Sequence, residues 1–202
     1  VQKTCQRQAS YLLRLLAILD KVLSEDIPDL FGLERTKIPS LRRLLWIIYS
    51  SPPFKPNIEG LSRDLGLAKE SVYFYLECLE KAGLLKSYKA NKSGAKHARK
   101  PAKLYPANTN LLAAIVSQAS LDFDPGMVRE VFFQAAISEV LKVHTHLTAD
   151  FLVESKLVFE VGGPGKDLRQ VEHAKTEGFL ALDGIEVGSG KRIPLYLFGF
   201  LY

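Results

Sequence analysis

Near the start of the chain, apolar residues recur at helix spacing. Leu12, Leu15, Leu16, Leu19, Val22 and Leu23 share one face. Asp26-Ile27-Pro28 is expected to end this helix, because a proline disfavours helical backbone in the residue before it. Ser40 is the expected cap of a second helix, whose stripe is Leu41, Leu44, Leu45 and Ile48. Pro52, Pro53 and Pro56 stop that helix and hold an extended turn.

The pattern then shortens. Asn57 is a good N-cap, and Ile58, Leu61 and Leu65 lie on one face of a short helix. Gly66 follows, where the chain needs a residue that tolerates left-handed backbone. A further helix begins near Lys69, carries Val72, Tyr75, Leu76 and Leu79, and ends at Gly83. Leu84–Tyr88 reads as a strand and Leu104-Tyr105 as its returning partner. Helix, tight turn, helix and hairpin is the winged-helix order. Residues Ser40 to Asn108 are therefore expected to form a winged helix-turn-helix, and the chain reads first as a binding module.

Asn108 to Ala119 reads as a linker helix, and Asp124-Pro125-Gly126 as a sharp break. The next helix is expected to face a core with Val128, Val131, Phe132, Ala135 and Leu141. From about Val143 the pattern changes. Strands Ala149–Glu154 and Leu157–Val161 flank the turn Ser155-Lys156. Gly162-Gly163-Pro164-Gly165 is a loop, Asp167 to Lys175 a short helix, and Phe179–Leu182 another strand. Such alternation predicts a small mixed α/β domain. The expected fold class is α+β: a helical connector over 1–38, a winged helix over 39–108, and the mixed domain over 109–202.

Composition narrows this only a little. A chain of 202 residues, 47% apolar and 24% charged, has room for one large or two small domains and can bury a core. No apolar run reaches the ~18–20 residues of a membrane helix. The tail Ile193–Tyr202 is half that length and reads as a buried terminal segment. Arg14, Asp20 and Lys21 break the first apolar stretch, so no signal peptide is read. Cys5 and Cys78 make no disulfide framework and have no ligand spacing. Reduced thiols suit a cytoplasmic protein. Because the chain opens with Val1, it is expected to come from something longer.

Charge is unevenly placed. Lys86, Lys89, Lys92, Lys96, Arg99, Lys100 and Lys103 lie in one stretch without an acid, and those seven exceed the net charge of +5. A basic hairpin loop beside a helix-turn-helix is placed to meet the phosphates of duplex DNA. The bland alternative is a solvated loop that binds nothing. Only Lys69, Ser71 and Tyr73, with Glu70, stand near the start of the second motif helix, where base edges are read. Its Glu70, Glu77 and Glu80 oppose strong readout, and winged helices also serve as protein adaptors.

Two loops imitate phosphate-binding sequences, Gly162-Gly163-Pro164-Gly165-Lys166 and Gly188-Ser189-Gly190-Lys191. A P-loop needs a glycine five positions before its last glycine, and Ser or Thr after the lysine. Glu160 and Asp167 stand there in the first loop, Ile185 and Arg192 in the second, so neither qualifies. Asp150 opens one strand and Glu160 lies near the end of the next, so antiparallel pairing brings them together. Paired acids can hold Mg²⁺ and activate water against a phosphodiester, with Glu130 as a third oxygen ligand. The alternative is a set of ordinary surface acids. His144 and His146 share a strand face without a third zinc ligand nearby, while His97 belongs to the wing and His173 to a helix surface.

Several runs carry a family resemblance: Pro53-Phe54-Lys55-Pro56-Asn57-Ile58, Leu76-Glu77-Cys78-Leu79-Glu80-Lys81-Ala82-Gly83-Leu84, Lys103-Leu104-Tyr105 and Asn108-Thr109-Asn110-Leu111. With Arg129–Phe133, Ala149–Val153, Phe159–Gly163 and Ile193–Tyr202, they resemble the C-terminal half of prokaryotic AAA+-type ATPases. In that family a P-loop domain precedes a winged helix and a C-terminal domain. The segment Lys21–Pro28 fits the end of the joining region. No ATP-binding residue has a counterpart here, so ATP is expected only in an N-terminal ATPase domain, itself an expected partner.

The family's terminal domain is similar to the PD-(D/E)xK nuclease fold. That resemblance implies an acid on a helix, an Asp opening a strand and Glu-x-Lys on the next. Glu130, Asp150 and Glu160 match these positions, but Gly162 stands where the lysine belongs. Lys166 is the substitute within reach. The resemblance thus implies a nuclease-like domain, with Mg²⁺ at Asp150 and Glu160 if it cleaves, and a missing lysine that counts against cleavage. Nucleic acid is the expected ligand of Lys69, Ser71, Tyr73, Lys89, Lys92, Lys96, Arg99 and Lys100. A protein partner or self-association is the rival, and no membrane is expected.

Overall fold

The computed structural model describes residues 2–50, 53–89, 101–122, 124–172 and 176–201. The fold is mixed α+β. It divides into two compact units, 1–86 with 104–122, and 87–103 with 123–202.

The first unit opens with α1 (Gln2–Lys21), a wide turn over Val22–Asp26 and α2 (Ile27–Phe31). Proline does not end the helix at Asp26-Ile27-Pro28. The Ile27 N–H reaches back five residues to the Val22 carbonyl, and Pro28 falls in the first turn of α2. A missing N–H costs nothing there. α3 (Ile38–Tyr49) likewise starts before Ser40, with Pro39 in its first turn and Lys37 at the cap. Its stripe Leu41, Leu44, Leu45 and Ile48 is wholly buried.

α4 (Ile58–Leu65) and α5 (Lys69–Lys81) are the helix-turn-helix. The Asn57 side chain accepts from the Gly60 N–H, which satisfies one of the donors a helix start leaves open. Gly66 closes α4 at φ +63°, a conformation that would strain a side chain. Buried Val72, Tyr75, Leu76 and Leu79 turn α5 inward. β1 (Leu85–Tyr88) pairs with β2 (Lys103–Pro106) as the expected hairpin. α6 (Thr109–Gln118), capped by Asn108, is not a free linker: it buries Leu112, Ala114, Ile115 and Val116 and packs on α1 and α3.

The second unit begins its main run with α7 (Pro125–Ile137), capped by Asp124. Its inward face is Val131, Phe133, Ala136 and Ile137. Phe132 and Ala135 are only half-buried, and Leu141 lies exposed beyond the helix. One five-stranded sheet follows, in the order β3 (Val143–Thr145), β4 (Phe151–Val153), β5 (Leu157–Gly162), β6 (Glu177–Leu182), β7 (Arg192–Pro194). β3, β4 and β5 form an antiparallel meander, whereas β5, β6 and β7 run parallel. α8 (Arg169–Glu172) makes the crossover from β5 to β6.

The tight turn between β4 and β5 is centred on Glu154 and Ser155, one residue earlier than expected, both at positive φ. That twist matches the flanking strands. One sheet face carries Phe151 and Phe159, whose rings meet Phe133 and so bind α7 to the sheet. The other buries Leu152, Val158, Leu180 and Leu182 with Val171 of α8. The C-terminal tail, a short 3₁₀ helix over Leu195–Phe200, is only partly buried. Leu195 and Phe198 point inward, while Tyr196, Leu197, Phe200 and Leu201 are exposed. Among the described residues, no helix is long and apolar enough to cross a membrane.

Candidate active site

The register of β4 on β5 pairs Phe151 with Phe159, so Asp150 stands opposite Glu160. Side-chain bonds tighten this. The Val161 N–H donates to Asp150 Oδ2 at 2.9 Å, and the Asp150 backbone N–H donates to the Glu160 carboxylate. Glu160 is almost fully buried, at 3% exposure, on the sheet face that also carries Val158. An anion there needs a partner.

That partner is Lys166. Its Nζ lies 2.6 Å from Glu160 Oε1. Its stem runs across Gly162: a Cβ built there would sit 2.9 Å from Lys166 Cδ and 3.2 Å from both Cβ and Cγ. The lysine thus occupies the space over Gly162. The glycine loop holds it there. The Lys166 N–H donates to the Gly163 carbonyl, and Arg192 donates to the Pro164 carbonyl at 2.6 Å.

Burial and the Asp150 charge push the Glu160 carboxyl above its ordinary value, and Lys166 with the Asp150 N–H restores it only in part. Burial draws the Lys166 ammonium down, but the Glu160 hydrogen bond and the charges of Glu160, Asp150 and Glu130 lift it on balance. The 2.6 Å contact joins Lys166 and Glu160 as an ion pair.

Glu130 is close enough on α7 for its charge to reach Lys166. Among the described residues, however, no three acids, histidines or cysteines stand together as a metal-binding group. Mg²⁺ commonly takes only one or two carboxylates and completes its shell with water and phosphate oxygens. The hard oxygen donors of Asp150 and Glu160 fit that habit. His144 lies on β3 and His146 just past its end, where the His146 ring meets Thr148.

Sequence reasoning missed the rim. Arg129 pairs with Asp183 at 2.9 Å and lies beside Gly163. Lys103 faces Asp150 Oδ1 at 4.0 Å. By sequence Lys103 belongs with the wing's charges, and its place directly before the apolar pair Leu104-Tyr105 is the available signal that it turns inward.

The nucleic-acid candidates divide. Lys69 is exposed but bound to Glu59 at 2.6 Å, which raises its pKa through that hydrogen bond. Ser71 and Tyr73 are half-buried on α5. Lys89 is exposed, and its carbonyl accepts from the Thr145 N–H. Lys92, Lys96, Arg99 and Lys100 lie outside the described residues, as do His97 and His173.

Residues 1–122 match the sequence model of a family described as Domain of unknown function (DUF8612). The chain belongs to that family. The match ends at Asp122, where the first compact unit also ends, so α6 goes with the winged helix in both. No curated protein and no solved structure matched the chain.

Proposed function

We propose that the second unit is a Mg²⁺-dependent phosphodiester-cleaving site of the PD-(D/E)xK type, and that the winged helix before it engages nucleic acid. The observation that carries this reading is Lys166 lying over Gly162 and bonded to Glu160, which supplies the one element the sequence pattern lacks. The order helix, three antiparallel strands, helix and parallel strand supports it.

Asp150 and Glu160 would hold the ion. When bound, Mg²⁺ stabilises charge developing on the phosphoryl oxygens and makes water a stronger nucleophile. Lys166 places a fixed cation beside the reacting phosphate and orients the water. Hydrolysis forms one P–O bond from water and breaks one ester P–O bond, the water's proton ending on the leaving oxygen. Nicking of supercoiled plasmid with Mg²⁺ or Mn²⁺ tests this. Cleavage lost in Asp150→Asn and Glu160→Gln is the expected result, and no cleavage by the native chain with either ion overturns it.

A specific observation favours a second reading for α5. Lys69 and Lys81 are each bound to a glutamate, and Phe74 is 39% exposed. That face suits a protein partner better than a phosphate backbone. The motor domain expected from the AAA+ resemblance is one such partner, tested by co-purification with and without Phe74→Ala.

A further inference from the structure

Asp150 has two carboxylate oxygens with different fates. Oδ2 accepts the Val161 N–H, which leaves Oδ1 as the oxygen free of the backbone. Lys103, at the start of β2, points its ammonium at Oδ1 from 4.0 Å and lies 6.0 Å from the centre of the Phe151 ring. The two side chains are only 14% and 16% exposed. A largely buried lysine side chain is held there by a carboxylate and an aromatic face. With Lys166 on Glu160, the site matches two acids with two lysines from separate parts of the chain.

We propose that Lys103 is a built-in counter-ion that competes with divalent metal for Asp150 and keeps the site self-neutralised until a phosphate ester arrives. This rests on the metal site proposed above. A divalent ion entering alone would leave the cluster with excess positive charge, which the phosphates of a nucleic acid would offset. Metal and nucleic acid therefore favour each other's binding, and the coupling is reciprocal. Lys103 opens the strand that returns from the basic stretch 86–103, so the residue that restrains the metal site is continuous with the segment expected to meet phosphates.

The test is Mn²⁺ binding to the full 202-residue chain, followed by the electron paramagnetic resonance of the free ion, with no nucleic acid present. Lys103→Met keeps the stem over Phe151 and removes the charge. It should bind Mn²⁺ about tenfold more tightly than the native chain, since one neighbouring charge shifts a carboxylate's affinity for a cation by about that much or more. Lys103→Arg should bind like the native chain, and Asp150→Asn should lose binding. Lys103→Gln serves if thermal melting shows the methionine variant unfolded. Equal Mn²⁺ affinity in native and charge-free variants overturns the role of Lys103 and leaves the metal site standing. Absence of binding in every variant removes the metal site itself, and this inference with it.

Discussion

Lys166 reaches Glu160 at 2.6 Å from six residues further along the chain, and its stem covers Gly162 on the way. The contact explains two features of the sequence at once. Gly162 is small because a side chain passes over it, and the glycine loop Gly163-Pro164-Gly165 turns the chain back so that Lys166 can do so.

Moving the lysine back tests that relationship. Lys166→Ala should lower metal-dependent cleavage about a hundredfold, the scale of losing one fixed stabilising group. Adding Gly162→Lys to it should recover much of the loss, because residues 160 and 162 share a sheet face. If nicking assays find the double variant no better than Lys166→Ala, the equivalence of the two positions is wrong.

Gly162→Ala should destabilise the native chain by about 1–3 kcal/mol, the usual cost of overpacking. The added methyl meets the Cβ of Lys166, which the backbone anchors. In the Lys166→Ala background that penalty should largely vanish, a non-additivity that urea denaturation of the four proteins measures directly. An equal cost in both backgrounds would mean the lysine stem is not what excludes the methyl.

Alkali should unfold the first unit through Tyr49. Its hydroxyl is buried and donates to the Leu84 carbonyl, and burial raises its pKa far above the ordinary 10.0. As pH climbs past that value the unfolded chain releases the proton first. Stability from this group is therefore complete below pH 10 and declines above it, by about 1.4 kcal/mol per pH unit. Chemical melts of Tyr49→Phe between pH 9 and 11 should show a shallower decline, and an unchanged slope would assign the alkaline loss elsewhere.

Duplex DNA affinity should fall with salt, and alanine at Lys92, Lys96, Arg99 and Lys100 should weaken it for all sequences alike. The slope of log affinity against log salt should shrink by about 0.9 for each phosphate contact removed. Fluorescence anisotropy at several salt concentrations measures both quantities. Loss confined to one DNA sequence would mean these residues read bases, and no loss would leave the stretch a solvated loop.

Local chemistry along the chain determined the winged helix. The Asn57 cap, the left-handed Gly66, the buried stripe of α5 and the β1–β2 hairpin each follow from neighbours a few residues away, and so they are legible in the sequence. Asp150 opposite Glu160 was legible for the same reason, since a short turn between two strands sets their register. Packing decided the rest. Proline at position 28 ends a helix only if the turn before it stays regular, and a widened turn removed that condition. The inward face of α7 was set by the aromatic rings of Phe151 and Phe159 across the sheet rather than by its own periodicity. Whether Lys103 turned to Asp150 or to solvent depended on a segment distant in sequence. Only the tertiary fold brings those charges within reach of each other, because a charge pair is fixed by distance in space and not by spacing along the chain.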